Sequence, residues 1–354
     1  MKVLQIIDGF NYGGITKLIT DIDNNISNDI KFDYITQVHI FNNKDNVYNL
    51  NSDRRSIKGK IVYNYRLYKH LKKNKYDIIH INSAIFLFSF QVALIAKLCG
   101  IKHIIAHSHN TINYNKLRRV IMKILSPLYL KLIDIKLTCS LAATKSLYTN
   151  TDNVILLKNG IAIDKYKYNK SIRNKYRKEL NIEDKKVYGH VGRFSKQKNH
   201  EFLIDLFNEI QKKDDKAVLL LVGSGELEDA IRNKVKLLNI DDKVIFLGFR
   251  DNINEILNAF DVFLFPSLYE GLGIVAIEAQ TNGLPVVVSN NVPSDANISN
   301  NFYKVDNYDI IKWMNTINNI KYYKRENAYK DTINNGYDIK DITKELEKIY
   351  RGLV

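Results

Sequence analysis

The sequence predicts an α/β protein with two doubly wound domains, each a parallel sheet wrapped by helices. Short runs rich in Val and Ile alternate with helical stretches along all 354 residues, which is the pattern of such sheets. That length exceeds what one domain commonly needs and is enough for two. A polar stretch at 164–186 carries no buried-strand pattern and separates two sets of runs, so we place a hinge there.

Six strands are predicted before the hinge and five after it. The first six are Val3–Ile7, Phe32–His39, Ile78–Ile81, His103–Ala106, Ile135–Cys139 and Val154–Leu157. The other five are Val187–Val191, Ala217–Val222, Val244–Leu247, Val262–Phe265 and Val286–Ser289. Residues 1–163 then form the first domain, and 164–338 form the linker and the second domain. We expect the amphipathic tail 339–354 to be a closing helix that packs back onto the first domain.

Cysteine usage and the N-terminus indicate a reducing cytoplasm. Cys99 and Cys139 are 40 positions apart without a CxxC partner, so neither a disulfide framework nor a zinc site is expected. The apolar run after Met1 is short and typical of a strand rather than a signal peptide. The longest apolar segment, Ile85–Gly100, is shorter than the ~20 residues that cross a bilayer, and we predict a buried helix there.

Positive charge is concentrated in the first half of the chain. The net charge is +15, and residues 1–160 hold 23 Lys and Arg against 10 Asp, whereas residues 161–354 hold 30 basic and 28 acidic residues. This imbalance indicates an anionic partner. Nucleic acid is disfavoured because neither interleaved aromatic residues nor a recognition helix is present. From Asn115 to Leu132 basic and apolar residues alternate at helical spacing, which favours an anionic membrane surface; an ordinary solvated helix face is the alternative.

Candidate site residues follow the predicted strands, because ligands of open α/β sheets bind outside the carboxyl ends of the strands. Gly13 and Gly14 follow the first strand, and their amides suit a phosphate or a sugar hydroxyl; the spacing is not GxGxxG, so a simple tight turn is the alternative. His107 and His109 follow the fourth strand. A metal pair, a structural histidine and a catalytic or substrate-contacting histidine remain open there.

Two cations follow the first strand of the second half. Arg193 and Lys198 lie five positions apart where a loop enters a helix. Such a pair can converge on a diphosphate, with the guanidinium bidentate and the ammonium a point charge. The alternative is a pair of surface charges with no ligand.

The most specific motif is PSLYEGLGIVAIEA at 266–279, between a buried strand and a stop at Gly283. Gly271 and Gly273 leave backbone amides accessible at the start of a helix. Glu270 precedes that helix, and Glu278 lies inside an apolar stretch of it, where an unpartnered carboxylate would be costly. The motif therefore predicts a site for a hydroxyl-rich ligand.

With these residues in order, the chain resembles a retaining glycosyltransferase of the GT-B fold, in the large family four that builds capsules, exopolysaccharides and lipid-linked glycans. The resemblance covers nearly the whole chain. It is carried by VGRFSKQKN, LLLVGSGELED, VIFLGFRDN and DVFLFPSLYEGLGIVAIEAQTNGLPVV, and in the first half by NYGGI, AHSHN and LKNGIAID. It implies two Rossmann-like domains that face each other across a cleft.

The resemblance also implies residue roles on the donor side. Glu270 would contact the donor sugar and Glu278 the ribose hydroxyls. Arg193 and Lys198 would bind the diphosphate and stabilise its charge as it departs. The amides offered to sugar and phosphate would be those of Gly271, Leu272, Gly273 and Ile274. The chain departs from the common pattern at Asn199, where Gly is usual, and at Gln280, where a small residue or Met is frequent.

On the acceptor side, the resemblance places His109 near the 6-hydroxyl of the sugar or the reacting centre, with His107 as the competing assignment. Gly14 would lie close to the phosphates or the acceptor. The catalytic candidates are therefore His109, Glu270, Arg193 and Lys198. Neither a metal nor another cofactor is implied.

The sequence therefore predicts an enzyme, a hexosyltransferase. We expect it to move a hexose from a nucleotide sugar, UDP-linked rather than GDP-linked, to a hydroxyl of a lipid-linked bacterial surface glycan, with retention. It would be cytoplasmic and peripheral at the inner face of the plasma membrane. A nucleotide-sugar epimerase of GT-B type and a non-catalytic nucleic-acid binder are the alternatives.

Overall fold

A computed structural model describes residues 1–8, 14–36, 46–50, 52, 54, 56–112, 114–321 and 324–354. The chain divides into two compact units. Unit 1 comprises Met1–Ile161 together with Tyr337–Val354, and unit 2 comprises Ala162–Gly336.

Unit 1 is a parallel sheet with helices packed on it. Its strands are β1 (Lys2–Ile7), β2 (Lys31–Ile35), β3 (Val47–Tyr48), β4 (Ile78–Asn82), β5 (His103–Ser108), β6 (Ile135–Thr138) and β7 (Val154–Leu156). Its helices are α1 (Gly14–Asp23), α2 (Ile57–Lys73), α3 (Phe86–Leu98), α4 (Lys116–Leu132), α5 (Leu141–Leu147) and, near the C-terminus, α14 (Ile339–Arg351). Within the described residues the strand order is β3-β2-β1-β4-β5-β6-β7.

Unit 2 repeats this architecture with a sheet of different length. Its strands are β8 (Lys186–Val191), β9 (Ala217–Val222), β10 (Val244–Gly248), β11 (Val262–Phe265), β12 (Val286–Ser289) and β13 (Phe302–Val305). Its helices are α6 (Ile163–Tyr166), α7 (Lys170–Glu179), α8 (His200–Lys213), α9 (Glu228–Leu237), α10 (Ile253–Ile256), α11 (Ile274–Thr281), α12 (Ile310–Asn318) and α13 (Tyr329–Asn334). In the described part of the chain the order is β10-β9-β8-β11-β12-β13.

In both sheets, the strands that follow the first strand in sequence are added first on one side of it and then on the other. β1 lies between β2 and β4, and β8 lies between β9 and β11, each in parallel register. The doubly wound prediction is therefore confirmed in each unit. Such reversal points leave a crevice at the carboxyl ends of the central strands. Residues that follow β1, β4 and β5 in unit 1, and β8, β9 and β11 in unit 2, are thus placed at sheet edges suited to ligands.

Local sequence signals explain how the helices begin and end. The side chains of Ser56 and Asn115 accept hydrogen bonds from backbone amides in the first turns of α2 and α4, as N-caps do. Gly283 ends the α11 segment at φ 80°, as the sequence predicted. A Cβ there would also lie 2.6 Å from Arg325 Cα, so glycine is required by space as well as by backbone conformation.

The C-terminal helix α14 packs on α1 in unit 1. The Ile161 and Asp338 backbones pair as an isolated parallel bridge, and Ser27 donates its amide to Glu347 at 2.7 Å. Arg351 forms an ion pair with Asp29 at 2.7 Å.

Strand prediction from the sequence was wrong mainly at the sheet edges. It missed β3, which is two residues long, and β13, which is only partly buried and lies between Asn-rich turns. The predicted strand Phe32–His39 ends at Ile35, and its last three residues lie outside the described residues. The segment Ile85–Gly100 is a helix as predicted, but its outer side is not buried, because Leu98 is 65% exposed.

Candidate active site

Three loops of unit 2 meet at the carboxyl ends of β9, β8 and β11. The turn after β9 approaches the loop after β8 so closely that a Cβ on Gly223 would lie 2.1 Å from the Gly192 carbonyl oxygen. A Cβ on Gly225 would lie 2.5 Å from the Phe194 carbonyl oxygen. The amide of Leu268, in the loop after β11, donates to the Gln197 carbonyl at 2.8 Å. The three loops therefore form one packed surface.

Lys198 and Glu270 form a buried ion pair on this surface. Lys198 Nζ lies 2.6 Å from Glu270 Oε1, and the side chains are only 15% and 8% exposed. The ammonium also lies 4.6 Å from the centre of the Phe265 ring, a cation–π distance. Buried ions need partners of this kind, because each loses its hydration. The structure thus brings together two residues that are 72 positions apart in the sequence.

Asn199 explains how the chain aligns Lys198. Lys198 ends a single 3-10 turn, and Asn199 follows with φ 55° and ψ 45°, the left-handed conformation. Asn is the non-glycine residue that adopts this conformation most readily, so it replaces the usual Gly without changing the turn. Helix α8 begins directly afterwards at His200, which is buried.

The glycine segment 271–274 starts helix α11. Gly273 is the N-cap with φ 81°, a conformation that other residues adopt rarely. Gly271, Leu272 and Gly273 are buried, and Ile274 is half-buried and begins the helix. The first turn of a helix has amides without intrahelical partners, which point along the axis and attract anions.

Glu278 lies inside α11 and is 6% exposed. Its Oε1 accepts a hydrogen bond from the Tyr166 hydroxyl at 2.6 Å, and Tyr166 is fully buried on α6. The carboxylate is therefore held by a phenol, as burial requires. Gln280, the second departure from the family pattern, donates to the Ala296 carbonyl at 2.7 Å and accepts from the Ile298 amide at 3.1 Å, so it holds the segment after β12 on the helix.

Arg193 shares the loop after β8 with Lys198 but contacts a different acid. Its Nη2 lies 3.1 Å from Glu226 Oε2, and both side chains are more than half exposed. An exposed pair of this kind contributes little to stability, since water screens it.

His109 lies at the carboxyl end of β5 in unit 1, and a hydrogen-bond network surrounds it. Its Nδ1 lies 3.0 Å from Asn159 Oδ1 and its Nε2 3.0 Å from Asn82 Oδ1. Burial lowers the pKa of His109 to about 4, so the imidazole is neutral at pH 7. A neutral imidazole has one N–H and one acceptor nitrogen, and with this low pKa it is suited to hydrogen bonding with a hydroxyl rather than to proton abstraction.

His107 packs against His109, with ring centres 3.7 Å apart, and burial holds the pKa of His107 well below its usual value. Gly14 is exposed and is the first residue of α1; residues 9–13 of its loop lie outside the described residues. Among the residues that the structure describes, no three His, Cys, Asp or Glu side chains form a group able to hold a metal ion.

The helical layer α2–α3–α4 of unit 1 presents an outer surface that we call the basic face. Its three helices contain no Asp or Glu. On α4, the side chains of Leu117, Val120, Ile124 and Leu128 are 68, 52, 70 and 48% exposed. Arg118, Arg119 and Lys123 are exposed beside them. None of the helices in the described parts of the chain has the length and apolar character needed to cross a bilayer.

Two doubly wound units with phosphate-suited loops after β8 and β11 define the GT-B class of fold. A solved structure of HepE from Anabaena, in complex with UDP and glucose, matches the chain with a TM-score of 0.82 at 19% identity and covers 99% of both chains. Residues 172–338 match the family model described as "Glycosyl transferases group 1". The chain is a glycosyltransferase with the GT-B fold, and this stretch is its group 1 domain.

Two curated relatives extend the similarity beyond that domain. The chain is 29% identical over 315 residues to a putative glycosyltransferase, EpsF, of Bacillus subtilis, covering 82% of this chain and 79% of the relative. It is 27% identical over 307 residues to an Escherichia coli UDP-Gal:alpha-D-GlcNAc-diphosphoundecaprenol alpha-1,3-galactosyltransferase, covering 81% and 78%. The family resemblance seen in the sequence is confirmed, as is the prediction of an enzyme.

Sequence reasoning missed the residues that support the site. Tyr166 lies in a short helix of the predicted hinge, and no local pattern connects it to Glu278. Gly223 and Gly225 form a lone GxG that the sequence indicates only as a bend and not as a dinucleotide motif, and the structure shows that both glycines are required by close backbone approach. Asn82 is the last residue of β4, and Asn159 follows β7. Their positions at strand ends were the only indication, and a weak one, that they belong to the site.

Proposed function

We propose that this chain transfers a hexosyl unit from a UDP-sugar to a hydroxyl of a lipid-linked bacterial surface glycan, with retention of anomeric configuration. The observation that carries the proposal is the buried Lys198–Glu270 pair beside the N-terminus of α11, where Gly273 is the N-cap. The chemistry in the name of the Escherichia coli relative supports the donor and the lipid-linked acceptor. The UDP bound by HepE supports the same nucleotide.

The diphosphate of the donor would be held by cations and amides of unit 2. Lys198 is already desolvated, so its charge acts strongly on an anion at short range. Arg193 forms an exposed ion pair with Glu226 and would turn to the phosphates. The amides of Gly271, Leu272, Gly273 and Ile274 would complete an anion site that stabilises the departing nucleotide. In this proposal no metal ion is needed, because these groups supply the positive charge.

The two acids would bind hydroxyl groups. Glu270 keeps one oxygen for Lys198 and can accept a sugar hydroxyl on the other. Glu278, held by Tyr166, would accept the ribose hydroxyls. His109 would contact the 6-hydroxyl of the sugar as a neutral group, and Gly14 would lie beside the phosphates or the acceptor.

A pair of variants tests the donor site. We expect Glu270→Gln to lower the turnover of UDP-sugar at least ~100-fold, since a preorganised contact at the reacting sugar is worth about this much. Lys198→Ala should weaken UDP binding about tenfold or more, because a charge-assisted hydrogen bond is lost. Turnover is measured as UDP released with acceptor present, and affinity by calorimetry.

The matched control is Lys196→Ala, which removes an exposed lysine from the same 3-10 turn. It should leave both UDP affinity and turnover close to those of the unmodified protein. Undiminished turnover by Glu270→Gln, with circular dichroism showing the native fold, would contradict the donor-site assignment. Equal UDP affinity in the Lys198 and Lys196 variants would contradict the role of Lys198.

We also propose that the basic face of unit 1 holds the enzyme peripherally on the inner leaflet of the cytoplasmic membrane. Exposed apolar side chains at positions 117, 120, 124 and 128 of α4 follow helical spacing, as in interfacial helices. The surrounding Arg118, Arg119 and Lys123 would each gain about 1 kcal/mol near anionic lipid. Helix α2 adds exposed Ile57 and Ile61 to the same surface. This location would bring the enzyme to a lipid-linked acceptor.

A further inference from the structure

A chain of side-chain hydrogen bonds joins the C-terminal helix α14 to His109 within unit 1. The Gln5 amide nitrogen lies 2.9 Å from the Tyr350 hydroxyl, and Asn82 Nδ2 lies 2.9 Å from Gln5 Oε1. Asn82 Oδ1 then contacts His109 Nε2. Tyr350, Gln5, Asn82 and His109 are all buried, so water does not compete for these bonds. Residues 345 positions apart in the sequence are thus linked to the predicted site histidine.

A backbone carbonyl and Gln5 together orient the Asn82 amide. Asn82 Nδ2 also lies 3.3 Å from the His80 carbonyl oxygen, which is an acceptor only. With its nitrogen toward that carbonyl and toward Gln5 Oε1, Asn82 presents its oxygen to His109. His109 consequently carries its proton on Nε2 to donate to Asn82.

A second branch runs from the same hydroxyl through two more histidines. Tyr350 receives a hydrogen bond from Gln5, so its single proton is available for His80 Nδ1, 2.7 Å away. The proton of His80 then lies on Nε2, 3.3 Å from His107 Nδ1. The His107 ring packs on His109 with centres 3.7 Å apart. The second branch therefore reaches His109 through a ring contact and not through a hydrogen bond.

We propose that Tyr350 is a positioning residue: its hydroxyl accepts a hydrogen bond from Gln5 and so, together with the His80 carbonyl, holds the amides of Gln5 and Asn82 in the orientation that gives His109 its Nε2–H tautomer. This tautomer leaves Nδ1 of His109 as its acceptor atom, on the side of Asn159. If the side-chain amide of Asn159 is rotated by 180°, its nitrogen can donate a hydrogen bond to Nδ1 of His109. A ligand hydroxyl can also donate a hydrogen bond to Nδ1. The catalytic relevance of this inference rests on the proposed function of His109, whereas the tautomer itself does not.

The test compares Tyr350→Phe with Tyr129→Phe. Each removes one buried phenolic oxygen from unit 1, but Tyr129 packs with Phe86 and Phe90 between α3 and α4, away from the network. In the unmodified protein, nitrogen NMR of histidine-labelled protein should show His109 as the Nε2–H tautomer alone. Tyr350→Phe should give a mixture of tautomers, and Tyr129→Phe should not.

The kinetic readout separates positioning from donor binding. We expect Tyr350→Phe to lower kcat for sugar transfer about tenfold, because a misplaced contact at the reacting group costs on this order. UDP affinity should be unchanged, since the side chains proposed to bind UDP, those of Arg193, Lys198 and Glu278, lie in unit 2. A second variant, Gln5→Leu, breaks the other arm of the network and should shift the tautomer in the same way.

The results separate the positioning role of Tyr350 from the proposed contact between His109 and the sugar. An Nδ1–H tautomer in the unmodified protein, or identical histidine spectra in the Tyr350 and Tyr129 variants, overturns the positioning role. A tautomer that shifts with kcat supports it. A tautomer that shifts while kcat stays constant upholds the positioning role but contradicts the proposed contact between His109 and the sugar.

Discussion

The two units share one doubly wound scaffold but place opposite chemistry at the same edge of their sheets. In unit 2 the carboxyl ends of β8 and β11 bring together charged groups, with Lys198 and Glu270 buried as an ion pair. In unit 1 the carboxyl ends of β4 and β5 bring together Asn82 and His109 in a neutral hydrogen-bond network. Cations suit a diphosphate and carboxylates suit sugar hydroxyls, whereas the neutral network suits hydroxyls alone, so one scaffold provides two kinds of site.

The units also differ in how tightly their loops constrain the backbone. The loops of unit 2 are held by glycines at close contacts, such as Gly223 against Gly192. Around His109 in unit 1, the described contacts are side-chain hydrogen bonds instead. A charged site thus relies on a fixed backbone, whereas the neutral site relies on side-chain partners. Three predictions test these differences.

The largest effect is expected at the loop junction of unit 2. Gly223→Ala places a Cβ 2.1 Å from the Gly192 carbonyl oxygen at φ 139°, so the loops after β8 and β9 must separate. We expect the free energy of unfolding to fall by about 3 kcal/mol or more, from overpacking and backbone strain together. Urea unfolding monitored by circular dichroism measures this loss.

Gly248→Ala is the matched control, because Gly248 also has positive φ, at 67°, but no atom lies within 4 Å of a Cβ there. It should cost only about 1 kcal/mol, the strain of a left-handed alanine. If both variants lost the same stability, close packing of the unit 2 loops would not be the reason for Gly223.

The order of these effects shows what the sequence could and could not predict. Glu270, Glu278 and Gly273 form one contiguous motif whose spacing along a strand, loop and helix is local, so their placement was predictable. The Lys198–Glu270 pair was not, because it depends on which strands are neighbours. The contacts of Tyr350 were even less predictable, because its partners Gln5 and His80 belong to β1 and β4 while Tyr350 lies in the last helix. Long-range hydrogen bonds leave no periodic signal in a sequence.

An intermediate effect is expected when the neutral network of unit 1 is acidified. Burial lowers the pKa of His109 from 6.5 to about 4. Between these two pH values His109 is therefore protonated in the unfolded chain and neutral in the folded chain. Stability is therefore full above pH 6.5 and falls as pH decreases toward 4, by up to about 1.4 kcal/mol per pH unit for each such histidine. His109→Gln should reduce the slope of unfolding free energy against pH by the contribution of one proton, up to about 1.4 kcal/mol per pH unit.

The control for the acid experiment is Asn110→Ala, an exposed residue directly after His109. Because asparagine carries no titratable group, this change should leave the slope of unfolding free energy against pH between 4 and 6.5 unchanged. A His109 variant with the same slope as the unmodified protein would show that His109 is not held neutral by the fold, and the contrast between a charged and a neutral site would fail.

The smallest effect concerns the outer surfaces, where the basic face distinguishes unit 1 from the nearly neutral second half. Ile124 is 70% exposed on α4, and Leu237 is 82% exposed on α9 of unit 2. Ile124→Asp removes an apolar contact and adds a negative charge, which together should weaken binding to phosphatidylglycerol vesicles about tenfold, or ~1.4 kcal/mol. Leu237→Asp makes a matched change and should have no such effect. Sedimentation with vesicles of phosphatidylglycerol and of phosphatidylcholine measures both variants, and equal losses in the two would assign the attraction to net charge rather than to the basic face.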